Sequence, residues 1–271
     1  MAQRIRLLAI DLDGTLLNSS KKLSEKNADA LRNLSESGVQ ICLASGRALT
    51  SIAPFREQLG IPGPIVSCNG SYVVAENGET VQSLRLSEDV RDQVLSYAKE
   101  YDLHTNCYIE SNAYCNREGR WADLYRSRIP ELPLPVWPNE RIASSNPTKL
   151  LVIDEPKKIQ EHLSRVRAQF ADNEAWITIS EPEYLEFLPP KVNKGQGVQA
   201  LASVLNLDQA EVAAIGDYLN DLEMVTWAGF SGAVSNSVEP VKNAAKVLVS
   251  SNDEDGVAEF ANRVLQLNAQ I

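Results

Sequence analysis

Apolar runs and amphipathic helical patterns alternate along the N-terminal part of the chain. Ile5 to Ile10 is mostly apolar, which is typical of a strand buried on both faces of a parallel sheet. Ser24 can cap the helix that follows. Val39 to Ala44 and Pro64 to Ser67 predict two more strands, and about Ala48 to Leu59 predicts a second helix between them. This alternation predicts an α/β fold with a doubly wound, Rossmann-like parallel sheet.

The pattern changes in the middle of the chain. Asn77-Gly78 lies between two short apolar runs and predicts a hairpin, and Ser87 can cap a helix that continues through Tyr101. Beyond it, strands are predicted at Leu103 to Ile109, Lys149 to Ile153, Trp176 to Ile179 and Tyr184 to Leu188, and helices at about Glu118 to Ser127 and Pro156 to Phe170. Strands and helices in mixed order predict an inserted α+β module.

The alternating pattern returns after Pro189-Pro190. Helices are predicted at Lys194 to Leu205, Asn220 to Trp227, Val238 to Ala245 and Asp253 to Leu267, and strands at Val212 to Gly216, Phe230 to Val234 and Val247 to Val249. We therefore predict a discontinuous core made of residues 1–82 and 191–271, with residues 83–190 as the inserted α+β domain.

Two acidic residues follow the first predicted strand. Asp11 and Asp13 would emerge at the carboxyl end of the strand, where open α/β sheets bind their ligands. The pair can share a divalent cation, or one carboxylate can attack a substrate while the other moves protons. An ordinary acidic turn is the alternative, because Asp and Gly are common turn residues. This stretch alone does not decide between them.

Composition narrows the choice of ligand. The chain has 271 residues, a net charge of −10 and a pI of about 4.9, which disfavour nucleic acid or an anionic membrane as a partner. The sequence contains no run of about 18 consecutive apolar residues, so no membrane span is expected. The four cysteines form no CxxC pair and the N-terminal apolar run is short, so we expect no zinc site, no signal peptide and a cytoplasmic location.

Three more polar loops are predicted beside the same sheet edge. They are Ser45-Gly46-Arg47, Asn193-Lys194-Gly195 and Gly216 to Asp221. Each alone is compatible with a turn, a surface lysine or a helix start, but a doubly wound sheet brings all of them together. Phosphoryl transfer requires such a set, because a lysine, backbone N–H groups and a divalent cation can neutralise the transferring oxygens. Magnesium suits a site made of oxygen ligands.

These loops, in this order, resemble the four motifs of the haloacid dehalogenase superfamily of phosphatases. Asp11-Leu12-Asp13-Gly14-Thr15 matches the first motif, Ser45-Gly46-Arg47 the second, Lys194-Gly195 the third and Gly216 to Asp221 the fourth. The chain is most similar to the Cof-type group, whose large α/β cap is inserted between the second and third motifs. The resemblance covers both core segments, whereas the cap matches mainly by size and position.

The resemblance implies a role for each motif residue. Asp11 would be the nucleophile, Asp13 the general acid and base, and Lys194 a third catalytic group. Magnesium would be held by the Asp11 carboxylate, the Asp13 backbone carbonyl and Asp217, with Asp221 orienting the metal site or Lys194. The phosphate would be bound by Leu12 (through its backbone), Ser45, Gly46, Arg47, Lys194 and Asn220.

The function implied is magnesium-dependent hydrolysis of a small phosphorylated metabolite by a monomer or small homo-oligomer. Sugar phosphates come first by resemblance. Pyridoxal phosphate, flavin mononucleotide, the phosphorylated flavin precursor and sucrose phosphate remain alternatives, as do a phosphomutase and a binding protein without turnover. One position departs from the family, because Ser235 replaces the usual glycine before Asn236. We expect no loss of catalysis, since this turn is predicted to lie a strand away from the nucleophile.

Overall fold

The computed structural model describes residues 3–130, 132–170 and 174–271. The strands are β1 (Leu7–Asp11), β2 (Gln40–Ala44), β3 (Ile65–Ser67), β4 (Tyr72–Val74), β5 (Thr80–Ser83), β6 (His104–Ile109), β7 (Asn112–Cys115), β8 (Lys149–Ile153), β9 (Trp176–Glu181), β10 (Tyr184–Leu188), β11 (Val212–Gly216), β12 (Phe230–Val234) and β13 (Val247–Val249). The helices are α1 (Glu25–Glu36), α2 (Leu49–Leu59), α3 (Glu88–Glu100), α4 (Arg120–Arg128), α5 (Asn139–Ala143), α6 (Pro156–Arg167), α7 (Lys194–Val204), α8 (Leu222–Trp227), α9 (Glu239–Ala244) and α10 (Gly256–Asn268).

The chain divides into two compact units. One comprises the described residues up to Arg47, Ile52–Gln82 and Asn193–Ile271, and the other comprises Ala48–Ser51 and Ser83–Val192. The first unit is thus built from both ends of the chain, and most of the second comes from one long internal segment.

The first unit is organised around an eight-stranded sheet in the order β13-β12-β11-β1-β2-β3-β4-β5. From β13 to β3 neighbouring strands are parallel, and β4 pairs with β3 in the antiparallel direction. The chain runs outward from β1 to β2 and β3 in one direction and from β11 to β12 and β13 in the other. The strand order therefore reverses between β1 and β11, which is where a doubly wound sheet forms its ligand crevice.

The apolar pattern explains why the central strands are buried. Leu7 and Ala9 share a cluster with Val198 and Leu201 of α7, on one face of the sheet. Strand side chains alternate, so Leu8 and Ile10 point to the opposite face, and they are fully buried as well. Both faces of the sheet are covered, as the sequence pattern requires. The predicted doubly wound α/β fold is confirmed.

The second unit contains an antiparallel sheet in the order β7-β6-β8-β10-β9. Helices α3 and α6 supply Val90, Val94, Ile159 and Val166 to its hydrophobic core. This mixture of helices and antiparallel strands is the α+β character that the sequence predicts. The sequence pattern did not predict β7 and α5, because both are short and carry no strong apolar period.

Within the described ranges, no helix has the length and apolar character needed to cross a bilayer.

Candidate active site

The two carboxylates nearest the reversal of strand order come from adjacent strands. Asp11 is the last residue of β1, and Asp217 directly follows β11, with Ile10 and Ile215 paired in the sheet register. Asp221 ends a short 3₁₀-helix that precedes α8. Each of these three residues offers a carboxylate oxygen, and the three atoms lie within 4.8 Å of one another. The structure therefore brings together acids from the first and fourth predicted motif loops.

Lys194 places its ammonium group between two of these acids. Its Nζ donates to Asp11 Oδ1 at 2.6 Å and to Asp221 Oδ1 at 2.5 Å, and its side chain is only 1% exposed. Lys194 begins α7, and the Asn193 side chain caps that helix by accepting from the Gln196 N–H at 2.8 Å. Burial opposes the charge on Lys194, but the carboxylates of Asp11 and Asp221 outweigh it and raise its pKa. The lysine is therefore a permanent cation.

The acids repel one another despite this lysine. Burial, and then the neighbouring charge of Asp221, raises the pKa of Asp11 well above its ordinary value. The same two causes raise the pKa of Asp217 to about 6. Among the described residues, no side chain or backbone group donates a hydrogen bond to Asp11 Oδ2, although this atom is buried. The site therefore holds more negative charge than its own cation neutralises.

This donor set fits a hard divalent cation. Three carboxylates lie close together, and the Lys194 ammonium group bonds to two of them. Oxygen-only ligands of this kind suit magnesium. Asp221 has its oxygens engaged already, with Lys194 and with the backbone N–H groups of Asp217 and Tyr218 at 2.9 and 3.2 Å. Asp11 and Asp217 are thus the side chains best placed to hold the metal.

Gly14 and Thr15 explain the spacing of the first motif. Gly14 adopts φ +84°, and a Cβ atom there would lie 2.5 Å from Asp217 Oδ2, so only glycine fits. The Thr15 hydroxyl donates to Asp217 Oδ1 at 3.0 Å. The turn after Asp13 therefore packs directly on the fourth-motif acid and orients it.

Asp13 is held by two cations on a more open side of the site. Arg47 Nε and Nη2 donate to its two oxygens at 2.7 and 2.8 Å, and Lys21 Nζ donates to Oδ1 at 2.8 Å. Burial opposes ionisation, but the bonds from Arg47 and then Lys21 prevail and lower the pKa of Asp13 to about 2. Arg47 is also a predicted phosphate-binding residue, and its guanidinium forms a bidentate pair with Asp13.

The remaining predicted phosphate-binding residues lie on adjacent loops of the first unit. Ser45 and Leu12 are buried at the ends of β2 and β1, and the Ser45 N–H donates to the Val66 carbonyl at 2.8 Å. Asn220 donates from Nδ2 to Asn69 Oδ1 at 3.1 Å. The sequence assigned no role to Asn69.

The turn that departs from the family contacts the nucleophile loop. Asn236 donates from Nδ2 to the Gly14 carbonyl at 2.8 Å and accepts from the Asn252 N–H at 3.0 Å. Strand β11 separates β12 from β1, so the turn lies a strand away from the nucleophile as expected, but the Asn236 side chain spans that distance to the loop after Asp13. Ser235 itself is exposed.

A buried lysine between carboxylates, at the reversal of strand order in a doubly wound sheet, defines an α/β enzyme with an acidic, metal-compatible site. The chain belongs to the family of haloacid dehalogenase-like hydrolases, whose sequence model matches residues 8–260. The resemblance drawn from the four motifs is confirmed.

Similar proteins support the same membership. Phosphatase YwpJ of Bacillus subtilis is 30% identical over 285 residues, covering 96% of this chain and all of that protein. A second B. subtilis protein, 5-amino-6-(5-phospho-D-ribitylamino)uracil phosphatase YitU, is 27% identical, with coverages of 96% and 98%. The crystal structure of a haloacid dehalogenase-like hydrolase from Bacteroides thetaiotaomicron superposes with a TM-score of 0.86 at 28% identity, covering 96% of this chain and 100% of that one.

Proposed function

We propose that the protein is a magnesium-dependent phosphatase that hydrolyses a small phosphorylated metabolite through an aspartyl-phosphate intermediate. The observation that carries this proposal is the state of Asp11. One of its oxygens is bound to Lys194 at 2.6 Å, and the other, Oδ2, is buried without a donor among the described residues. A carboxylate anchored through one oxygen has the second available to attack phosphorus. Relatives named as phosphatases support the reaction class.

The first step forms the aspartyl phosphate. Asp11 attacks phosphorus, the bond from phosphorus to the leaving oxygen breaks, and that oxygen takes a proton from the Asp13 carboxyl group. Lys194 stabilises the site as negative charge gathers on the phosphoryl oxygens. The Gly46 backbone, Ser45 and Asn220 supply further hydrogen bonds to these oxygens.

The second step returns the enzyme to its starting state. Water attacks the phosphorus of the aspartyl phosphate, Asp13 takes the proton that water loses, and the bond between phosphorus and Asp11 breaks. Inorganic phosphate leaves, and the proton now on Asp13 is the one used in the next cycle. Arg47 and Lys21, which donate hydrogen bonds to the Asp13 carboxylate, favour the ionised form needed to accept this proton.

Magnesium would be held by Asp11, Asp217 and the Asp13 backbone carbonyl. When bound, it would screen the repulsion between Asp11 and a phosphate dianion. We expect chelation to abolish turnover of p-nitrophenyl phosphate and added magnesium to restore it. Calcium should restore little, because it takes more ligands at longer distances. Rates measured across a series of divalent cations check this, and full activity after exhaustive chelation would contradict it.

The substrate class follows from chemistry shared with relatives. Sugar phosphates remain the first candidates, and the relative named as a 5-amino-6-(5-phospho-D-ribitylamino)uracil phosphatase keeps the phosphorylated flavin precursor as an alternative. Each of these carries one phosphoryl group on a polar, hydroxyl-rich body. The motif residues serve the phosphoryl group, which all candidates share, so they cannot distinguish one body from another.

We therefore assign substrate choice to the inserted segment, residues 83–190. Exchanging it with the corresponding segment of a similar phosphatase should move the substrate preference and leave the magnesium requirement unchanged. Polar contacts would strongly reject analogues that lack a matching hydroxyl group, whereas apolar contacts discriminate by only about 10- to 200-fold. A panel of phosphorylated metabolites, run on the parent and on a chimera shown to be folded, measures this. A preference that stays with the core after exchange would contradict the assignment.

A further inference from the structure

The turn after β3 has an unusual backbone. Cys68, Asn69 and Gly70 are three consecutive residues with positive φ, at 49°, 54° and 98°. Only glycine adopts this region freely, so two of the three side chains are held in a conformation that they rarely take. Such strain persists where the surroundings impose it, and it concentrates at functional sites.

Neighbouring motif loops impose this conformation. The Cys68 N–H donates to the Arg47 carbonyl at 2.9 Å, and the Asn69 N–H donates to the Ser45 carbonyl at 3.0 Å. On the other side, a Cβ atom at Gly70 would lie 2.4 Å from the Asn193 carbonyl oxygen. The turn is therefore in contact with the second-motif loop and with the residue that precedes Lys194.

The Asn69 side chain extends these contacts to the predicted phosphate-binding groups. It is 3% exposed, and its Oδ1 accepts from Asn220 Nδ2 at 3.1 Å. Its amide also lies against Gly46, because a Cβ atom there would be 3.1 Å from Asn69 Oδ1 and 3.3 Å from Nδ2. One amide thus touches residues from two motif loops that are far apart in the sequence.

We infer that Asn69 is a positioning residue for the phosphate site, acting through Asn220 and Gly46. A primary amide has two N–H donors, so engaging one of those of Asn220 fixes the direction of the other. The packed Asn69 amide likewise fixes the path of the backbone at Gly46. The conformation of the turn brings this side chain into place. The inference rests on the proposed phosphatase function.

Asn69→Gly is the sharpest test, because glycine keeps the left-handed backbone and removes only the amide. We expect the dissociation constant of inorganic phosphate, measured by calorimetry with magnesium present, to rise about tenfold, as for the loss of one well-placed polar group. The KM for p-nitrophenyl phosphate should rise by a similar factor, with a smaller change in kcat. Asn220→Ala should give a comparable loss, and adding Asn69→Gly to it should cost less than about twofold more.

Asn206→Gly is the matched control. Asn206 also has positive φ, at 52°, but it is exposed and follows α7. We expect this control to bind phosphate as the parent does.

Unchanged phosphate affinity in Asn69→Gly, or independent and additive losses in the double variant, would overturn the inference. If Asn69→Gly does not fold, Asn220→Ala tests the inference alone, because unchanged phosphate affinity in that variant would show that the Asn220 amide positioned by Asn69 does not hold the phosphate, which would overturn the inference. Failure of the proposed function would appear earlier, as a parent protein that neither binds phosphate nor turns over p-nitrophenyl phosphate.

Discussion

Replacing Asp11 with asparagine should reduce phosphatase turnover by about 10⁴-fold or more, as expected when a covalent nucleophile is lost. The amide has nearly the same shape but does not attack phosphorus and is a poor ligand for magnesium. Because Asp11 is repelled by Asp221 and Asp217, neutralising it relieves strain that offsets the lost bond to Lys194. We therefore expect the variant to stay folded. Steady-state rates with p-nitrophenyl phosphate and a thermal unfolding curve measure both effects.

Asp29→Asn supplies the matched control for this substitution. Asp29 lies on α1, where its exposed carboxylate pairs with Arg32 at 2.8 Å. This variant should retain the parental rate, since exposed ion pairs contribute little. Acid quenching of the parent during turnover should also yield a phosphorylated peptide that contains Asp11. A folded Asp11→Asn protein with near-parental turnover would exclude Asp11 as the nucleophile.

The acidic site could be predicted because it depends on periodicity and topology. Asp11 directly follows an apolar run, and Asp217 stands one residue beyond another. Parallel strands place their carboxyl ends on one edge, so the two acids meet whatever the side-chain packing is. The Ser24 cap of α1 could also be predicted, because the N-terminus of a helix requires a hydrogen-bond acceptor at that point. The Ser24 side chain does accept from the Asn27 N–H.

Which side chains of the site bond to one another could not be predicted in the same way. The sequence places Arg47 beside Ser45 and Gly46 but does not indicate the bidentate pair that its guanidinium forms with Asp13. That outcome depends on side-chain rotamers and on the distance between two loops, which no spacing in the sequence encodes. Asn69 was overlooked for the same reason, because its role lies in contacts with Gly46 and Asn220, not in its own neighbours.

Removing Lys194 should affect both rate and stability. We expect Lys194→Met to lower turnover by on the order of 10²-fold or more, since it deletes the cation that lies between Asp11 and Asp221. It should also lower the free energy of unfolding by about 3–5 kcal/mol at neutral pH, because two buried carboxylates lose their partner. Chemical denaturation with magnesium absent measures this stability term alone.

The pH dependence of that stability loss identifies its cause. Burial and repulsion by Asp221 already raise the pKa of Asp11 in the folded state, and removing the lysine deletes the charge that opposes this rise. Raised acid pKa values make the folded state bind more protons, so the stability of the variant should fall as pH rises. The loss of unfolding free energy relative to the parent should therefore be smaller in mild acid than in mild base.

Lys26→Met is the control, because it removes an exposed lysine that pairs with Asp255 at 3.5 Å. This variant should show neither the rate loss nor this pH dependence. A Lys194→Met protein with parental rate and a deficit independent of pH would show that the ammonium group serves neither catalysis nor the balance of charge in the site.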